Sequence, residues 1–288
     1  MKINLEKIKQ EKPISELIEF SIINIDKPAG PTSFGIDEII KGKLGLRKAS
    51  HFGTLDPAVT GVLPIALNRA CRLMEYFMHK NKEYVGIMKL HQPVDEKKLK
   101  DEIKKFIGKI KQLPPVKSRV KREEREREIF SFDILEFDRE KNEVLFKTEV
   151  EAGTYIRKLI HDIGLNIGGA HMLELRRIKA SIFSEENSID IYEFLKATEE
   201  YKNGDEKKLR EILIPAEIIS EILPVIFVKD DIAKKLLIGK PLFKQDLINK
   251  KEINIKEKIA VFCGEGFIGV YKMINEGDII AKPEFVFN

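Results

Sequence analysis

Six polar residues stand out for types and settings that could do chemistry: Lys27, His51, Asp56, Tyr84, Tyr155 and Arg157. The densest setting is the run Ser50-His-Phe-Gly-Thr-Leu-Asp-Pro-Ala-Val-Thr-Gly-Val-Leu-Pro64. It places a carboxylate, Asp56, between a Gly-Thr pair and a proline, with an imidazole at His51. Gly53 admits backbone angles closed to other residues, and Pro57 fixes φ and removes a donor. Such a turn holds a carboxylate at a set angle, as acid–base or nucleophilic work requires. The same residue types also serve a structural cap.

Four of the other five have a plain structural reading when taken alone. A lysine in a turn, such as Lys27 beside Pro28, is usually solvated. His51 reads as a hydrogen-bonded structural histidine or a base. Tyr84 reads as core or as a stacking platform, and Arg157 as a surface partner for a glutamate. Only as a set do they stop looking independent.

The elements that must position them can be read from periodicity. Ser21 to Ile25 reads as an apolar strand running into the turn Asp26-Lys-Pro-Ala-Gly-Pro-Thr-Ser33. Ser33 is placed to cap a helix with Ile36, Ile39 and Ile40 on one face, closing near Gly45. A second helix is expected from Arg69, presenting Leu73, Met74, Phe77 and Met78. Lys82 to Leu90 alternates as a strand, helical spacing runs from Glu96 to Ile110, and Pro114-Pro115 ends it. Ile129 to Phe137 and Val144 to Val150 predict a hairpin. Glu151-Ala-Gly-Thr-Tyr-Ile-Arg157 leads into a helix with Ile156, Leu159, Ile160 and Ile163 on one face. Lys196 to Lys208 reads as a weakly ordered connection between helices. Beyond Pro224 short strands dominate, with one helix over Asp230 to Ile238.

A chain of 288 residues with 43% hydrophobic content can bury a large core and carry an appended domain. Its net charge is +4, yet Lys97 to Glu128 alone holds 13 Lys/Arg against 6 Asp/Glu. Charge concentrated in this way suits a phosphate backbone, or simply a solvated face. Cys71 and Cys263 lie far apart in apolar settings, which predicts buried thiols in a reducing compartment. The first residues lack the apolar segment of a signal peptide, no run reaches the length of a membrane span, and a cytoplasmic location is expected. No Cys/His cluster has metal-ligand spacing, and no Gly-rich phosphate loop appears.

In order along residues 20 to 185 come Asp26-Lys-Pro-Ala-Gly-Pro-Thr-Ser33, His51-Phe-Gly-Thr-Leu-Asp-Pro57, Thr60-Gly-Val-Leu-Pro64 and Lys82-Glu-Tyr-Val85. They are followed by Pro114-Pro-Val-Lys-Ser118 with Val120-Lys121, Gly153-Thr-Tyr-Ile-Arg157, Gly169-Ala-His171 and Leu175-Arg-Arg177. On these motifs the chain resembles the TruB-type pseudouridine synthases, and among them the RNA-guided catalytic subunit of archaeal and eukaryotic H/ACA particles, the dyskerin-like branch. The resemblance implies an α+β fold: a catalytic domain with a central mixed, mainly antiparallel sheet and flanking helices, plus a small C-terminal β-rich PUA domain. The domains it implies are a leader over 1–20, a catalytic domain over 21–222 and a PUA RNA-binding domain over 223–288. The leader is expected to pack against the terminal domain.

The same resemblance implies isomerisation of uridine to pseudouridine in tRNA, at the T-loop, and/or in rRNA within an H/ACA particle. Asp56 would be the essential carboxylate, with Arg157 paired to it and favouring its ionised form. Tyr84 would offer a stacking face and a proton-transfer group, while Tyr155 and Leu175 wall the pocket. His51 would shape the mouth, and Lys27 would lie with the substrate-binding residues on the turn bracing the loop. Neither cofactor nor metal is implied. The implied partners are tRNA, or guide RNA with its rRNA target, and small accessory proteins, with no membrane and no DNA. A short connection after Leu90 and the leader favour the guided branch. Phe52 stands where the family usually has Gly or Ala, which predicts crowding in the loop. The competing readings are a non-catalytic PUA-containing RNA scaffold, which would not need Asp56, Tyr84 and Arg157 together, and a metal-dependent hydrolase, which would need more ligands.

Overall fold

The computed structural model describes residues 2–114, 121–248 and 254–288. Among these, ten strands join in one mixed sheet and five in a second. The large sheet contains β1 (Ser21–Lys27), β2 (Ala49–His51), β3 (Thr60–Leu67), β4 (Lys82–Leu90), β5 (Gly108–Gln112), β6 (Arg125–Asp138), β7 (Glu143–Val150), β8 (Ala170–Ala180), β9 (Phe183–Ser184) and β10 (Ile214–Pro215). Its order is β10-β1-β3-β8-β4-β7-β6-β5, with β2 also on β3 and β9 on β8. All these pairs are antiparallel except the short contact of β3 with β8. The mixed, mainly antiparallel sheet follows the expectation from sequence.

The sheet forms from strands that bury one or both faces. In β4, Lys82, Tyr84, Gly86, Met88 and Leu90 are buried while the residues between them are half-exposed, the period-two pattern of a sheet face. Gly86 is required because a Cβ there would meet the Glu174 carbonyl at 2.7 Å and Leu175 Cδ1 at 2.9 Å. Leu175 sits opposite it on β8.

Helices cover the sheet. In the leader, α1 (Leu5–Glu11) and α2 (Ile14–Glu19) precede β1, and α3 (Ser33–Leu44) follows it. The N-cap of α3 is Thr32, which accepts from the Gly35 N–H at 2.9 Å, one residue before the expected cap at Ser33. Gly45 ends this helix in the left-handed region at φ 64°, as expected. The helix anticipated from Arg69 is a 3₁₀ segment, Asn68–Leu73, running into the single turn α4 (Met74–Met78). The helical pattern from Glu96 stops early: α5 (Glu96–Lys104) gives way to β5 at Gly108, whose φ of +91° no helix accommodates.

The hairpin β6–β7 and the helix α6 (Ile156–Leu165) stand where the sequence put them, with Ile156, Leu159, Ile160 and Ile163 all buried. Contrary to the expected weakly ordered connection, Ile191–Lys202 forms α7 under an Asp190/Glu193 capping box, followed by α8 (Lys207–Ile212). The motif Pro114–Lys121 lies, but for its two end residues, outside the described residues.

The second sheet contains β11 (Val225–Phe227), β12 (Leu242–Phe243), β13 (Lys258–Cys263), β14 (Gly266–Glu276) and β15 (Ile279–Val286), in the order β11-β13-β14-β15-β12. One helix, α9 (Asp230–Leu237), packs on it. Cys71 is buried, whereas Cys263 is half-buried and donates to Asp230 at 2.9 Å.

The leader fastens the two sheets together. Ile3, Ile8 and Phe20 share a hydrophobic cluster with Phe52 and Phe77 of the large-sheet region and with Phe262, Phe267 and Val270 of the second. Phe20 stacks on Phe267 with ring centroids 5.4 Å apart. Lys7 pairs with Glu265 at 3.3 Å, and Lys12 pairs with the buried Glu217. The expected packing of the leader against the terminal region is therefore present.

Candidate active site

Asp56 rides on the loop between β2 and β3, and every turn of that loop is fastened. The Phe52 N–H donates to the Pro64 carbonyl at 2.8 Å. The Ser33 hydroxyl accepts from the Leu55 N–H at 2.8 Å and donates to the Leu55 carbonyl at 3.0 Å. The Pro57 carbonyl accepts from the Gly30 N–H at 2.9 Å and from Lys27 Nζ at 3.1 Å. Asp56's own carbonyl closes a turn with the Val59 N–H at 3.0 Å. The carboxylate itself points out, 54% exposed, and is bound by Arg157 Nη2. A fixed backbone presenting an open, arginine-paired carboxylate is a chemical arrangement, since a capping aspartate would direct its oxygens at nearby N–H groups.

Arg157 stands in the first turn of α6, which begins after Tyr155. Tyr155 is half-buried, and its backbone is clamped by the Gln112 side chain, which accepts from its N–H at 3.0 Å and donates to its carbonyl at 3.3 Å. Tyr84 and Leu175 lie on adjacent strands, each 8% exposed. With so little free surface, Tyr84 can stack on a ligand only if neighbouring groups withdraw. It stands opposite Arg177 in the β4–β8 register, close enough for its ring hydroxyl to interact with that charge.

Two predicted substrate contacts change character. Lys27 is fully buried and donates to the Pro28 carbonyl at 2.7 Å as well as to Pro57. Burial lowers its pKa, opposed by the nearby charge of Asp56. No surface of it remains for substrate, so its effect reaches the site through the loop it braces. His51 has both ring nitrogens engaged: Nδ1 is 2.7 Å from Asp37 Oδ2, and Nε2 is 3.0 Å from the Thr54 hydroxyl. A carboxylate only accepts, so Nδ1 carries the proton, and in the neutral ring Nε2 accepts from Thr54. That occupies the ring as a strut at the mouth. Phe52 does not crowd the loop, because its ring turns inward and stacks on Phe77 at 4.9 Å.

Sequence reasoning missed Ser33 as a loop anchor, having placed it as a helix cap, and missed Asp37 altogether. It quoted Arg176 and Arg177 as motif residues without assigning them work. Arg176 makes a bidentate pair with Asp26 at 2.9 and 2.8 Å, tying β8 to the end of β1. Two adjacent arginines in the Leu175-Arg-Arg177 motif were the available signal.

Comparison with known proteins follows the same outline. The family model described as "TruB family pseudouridylate synthase (N terminal domain)" matches residues 41–103 and 87–156. The "tRNA pseudouridylate synthase B C-terminal domain" matches residues 157–220. A relative from Sulfurisphaera tokodaii, named "Probable tRNA pseudouridine synthase B", is 40% identical over 96% of this chain and 85% of its own length. Among solved structures, that of "a Cbf5-Nop10-Gar1 Complex" superposes with a TM-score of 0.89 at 37% identity, covering 97% of this chain and 88% of the other. That of an "H/ACA RNP bound to a substrate RNA containing 2'-deoxyuridine" gives 0.87 at 35% identity over 97% and 89%. The chain belongs to the TruB family of pseudouridine synthases, enzymes that isomerise uridine within RNA.

Proposed function

We propose that this chain is the catalytic subunit of an H/ACA ribonucleoprotein that isomerises uridines in rRNA and/or the T-loop uridine of tRNA, with Asp56 as the essential carboxylate. The observation that carries the reading is the likeness to the Cbf5 complex structure over 97% of the chain, leader and terminal domain included. Residues 1–20 then act as a leader, 21–222 as the catalytic domain and 223–288 as a PUA RNA-binding domain, working in the cytoplasm with guide RNA and small accessory proteins. The relatives named as tRNA enzymes support a tRNA substrate beside the guided one.

In the reaction the C1′–N1 bond of the target uridine breaks, the uracil turns in the pocket, C5 joins C1′ and then loses its proton, and N1 takes up a proton, so that the product is an isomer of the substrate. The target must first leave its stack, at a cost of roughly a few kcal/mol that pocket contacts offset. Asp56 lies open for that nucleotide, and the loop bonds hold its angle without help from substrate. Arg157 pairs with the carboxylate and gives way to the entering nucleotide. Tyr84 and Leu175 form the floor and Tyr155 a wall, while His51 and Lys27 hold the loop.

The test compares pseudouridine formation in naked tRNA and in a guide-programmed target, with and without accessory proteins, for wild type and Asp56→Asn. Modification that requires the guide supports the guided reading, and equal modification of naked tRNA alone removes it. Binding with no isomerisation in any assembly would leave a scaffold. Normal turnover by Asp56→Asn would remove the role given to the carboxylate.

A further inference from the structure

Two buried cations lie beneath the catalytic loop. Arg177, on β8, is among the largest fully buried side chains of the protein. Its Nε donates to the Val62 carbonyl at 2.7 Å and its Nη2 to the Gly53 carbonyl at 3.0 Å. Those two carbonyls stand on either side of Asp56, one where the loop leaves the base and one where it returns. Tyr84 is the register partner of Arg177 across the β4–β8 pair. Lys82, 6% exposed and on the buried face of β4, lies beside it and donates to the carbonyls of Met78 and Lys80, both at 2.6 Å. A Cβ at Gly53 would stand 3.6 Å from Arg177 Nη1 and 3.8 Å from Lys82 Cε, so both cations touch the same turn.

The backbone of Arg177 is equally committed. Gly61, at φ +101°, pairs with it across the parallel β3–β8 contact, and a Cβ there would fall 2.1 Å from the Arg177 carbonyl oxygen. Main chain and side chain of one residue therefore grip the loop at Gly53, Gly61 and Val62. The planar fork aims separate nitrogens, Nε and Nη2, at the separate carbonyls of Val62 and Gly53, a fixed geometry that a single ammonium nitrogen on a flexible stem does not reproduce.

We propose that Arg177, with Lys82 beside it, is a positioning residue for isomerisation, closing the base of the Gly53–Val62 loop and fixing Asp56 and Tyr84 in one frame. This rests on the reading of Asp56 as the reacting carboxylate. A displacement of about 1 Å at a reacting group can cost roughly 100-fold in rate, so loss of the fork should act on turnover rather than on RNA affinity.

The experiment is single-turnover isomerisation by the full chain at saturating RNA, in the assembly that supports wild-type turnover, with RNA Kd measured alongside. Arg177→Lys should slow the reaction about 100-fold while Kd stays within about threefold. Leu209→Ala, buried in the core on α8, controls for lost stability and should keep the wild-type rate below its melting temperature. A rate for Arg177→Lys within threefold of wild type, or a loss that falls on Kd, overturns the proposal.

Should Arg177→Lys not fold, Lys82→Met decides through the pH profile. Arg177 faces Lys82 from β8 and Tyr84 from β4, its register partners Val150 and Ala180 are uncharged, and the loop offers Gly53. Burial, then Arg177, lowers the Lys82 pKa to about 8. An inflection in the wild-type rate near that pH should vanish in Lys82→Met, and its persistence overturns the proposal. Asp56→Asn run in parallel separates the two ideas. If it turns over normally, the carboxylate's role falls. If it is dead while Arg177→Lys and Lys82→Met behave as wild type, only the positioning role falls.

Discussion

Asp56 and Phe52 share one loop and are held by opposite means. The carboxylate side is a lattice of hydrogen bonds from Ser33, Lys27, Gly30 and Arg177, ending in a side chain 54% exposed. The Phe52 side is a seam of stacked rings, 2% exposed, continuous through Phe77 and Phe183 with the cluster that fastens leader to terminal sheet. Polar contacts are directional and fix an angle. Apolar burial is non-directional and supplies most of the adhesion. The loop uses the second to stay folded and the first to aim its carboxylate. Stability and activity should therefore separate along it.

Four substitutions test that separation. Asp56→Asn should abolish turnover, by about 1,000-fold or more, while leaving the melting temperature within a few degrees, because an exposed side chain contributes little to stability. Phe52→Ala should do the reverse. Loss of a buried ring costs about 3–5 kcal/mol, and protein that remains folded at low temperature should turn over at nearly the wild-type rate. Thermal melts beside single-turnover assays check both, and a Phe52→Ala protein of normal stability would break the comparison.

In the seam, Lys12→Ala strands the Glu217 carboxylate, 1% exposed and already raised in pKa by burial. The expected cost is about 3 kcal/mol at neutral pH. It should shrink as acid neutralises Glu217, since only the charged form is penalised. Denaturant titrations of wild type and variant at several pH values measure the gap, and a constant gap would show that Glu217 is not the cause.

The smallest effect concerns Lys82. Its pKa of about 8 in the fold lies below the roughly 10.4 of an unfolded lysine, so between those values the unfolded chain binds more protons. Wild type should gain about 2 kcal/mol relative to Lys82→Met as pH rises from about 8 to about 10, with little pH dependence from this group at lower pH, where it is protonated in both states. Parallel pH dependence in the two proteins would mean that the ammonium is not desolvated.

Much of this was legible in the sequence where one local rule decided the outcome. Alternation named Lys82–Leu90 and apolar spacing named the buried face of α6, while the mixed sheet was implied by the family resemblance. Local rules failed where two competed. The helical spacing from Glu96 runs on past Lys104, but Gly108 requires a left-handed backbone and turns the chain into a strand. Ser33 and Thr32 are both caps by type, and only the hydroxyl's reach to Leu55 shows that Thr32 caps while Ser33 anchors. Phe52 looked like an obstruction because a sequence does not say which way a ring turns.

The sequence by itself determined the family and singled out Asp56 and its candidate partners, because the motifs are read from residue types and order whatever the side chains touch. Only the tertiary structure decided that Arg157 meets Asp56 across 101 positions, that His51 and Lys27 are struts, and that Arg177 reaches Val62 and Gly53 across 115 and 124 positions. The reason is physical. A long side chain chooses among acceptors brought near by sheet register, and here that register depends on one short parallel contact at Gly61, where nothing larger than hydrogen fits.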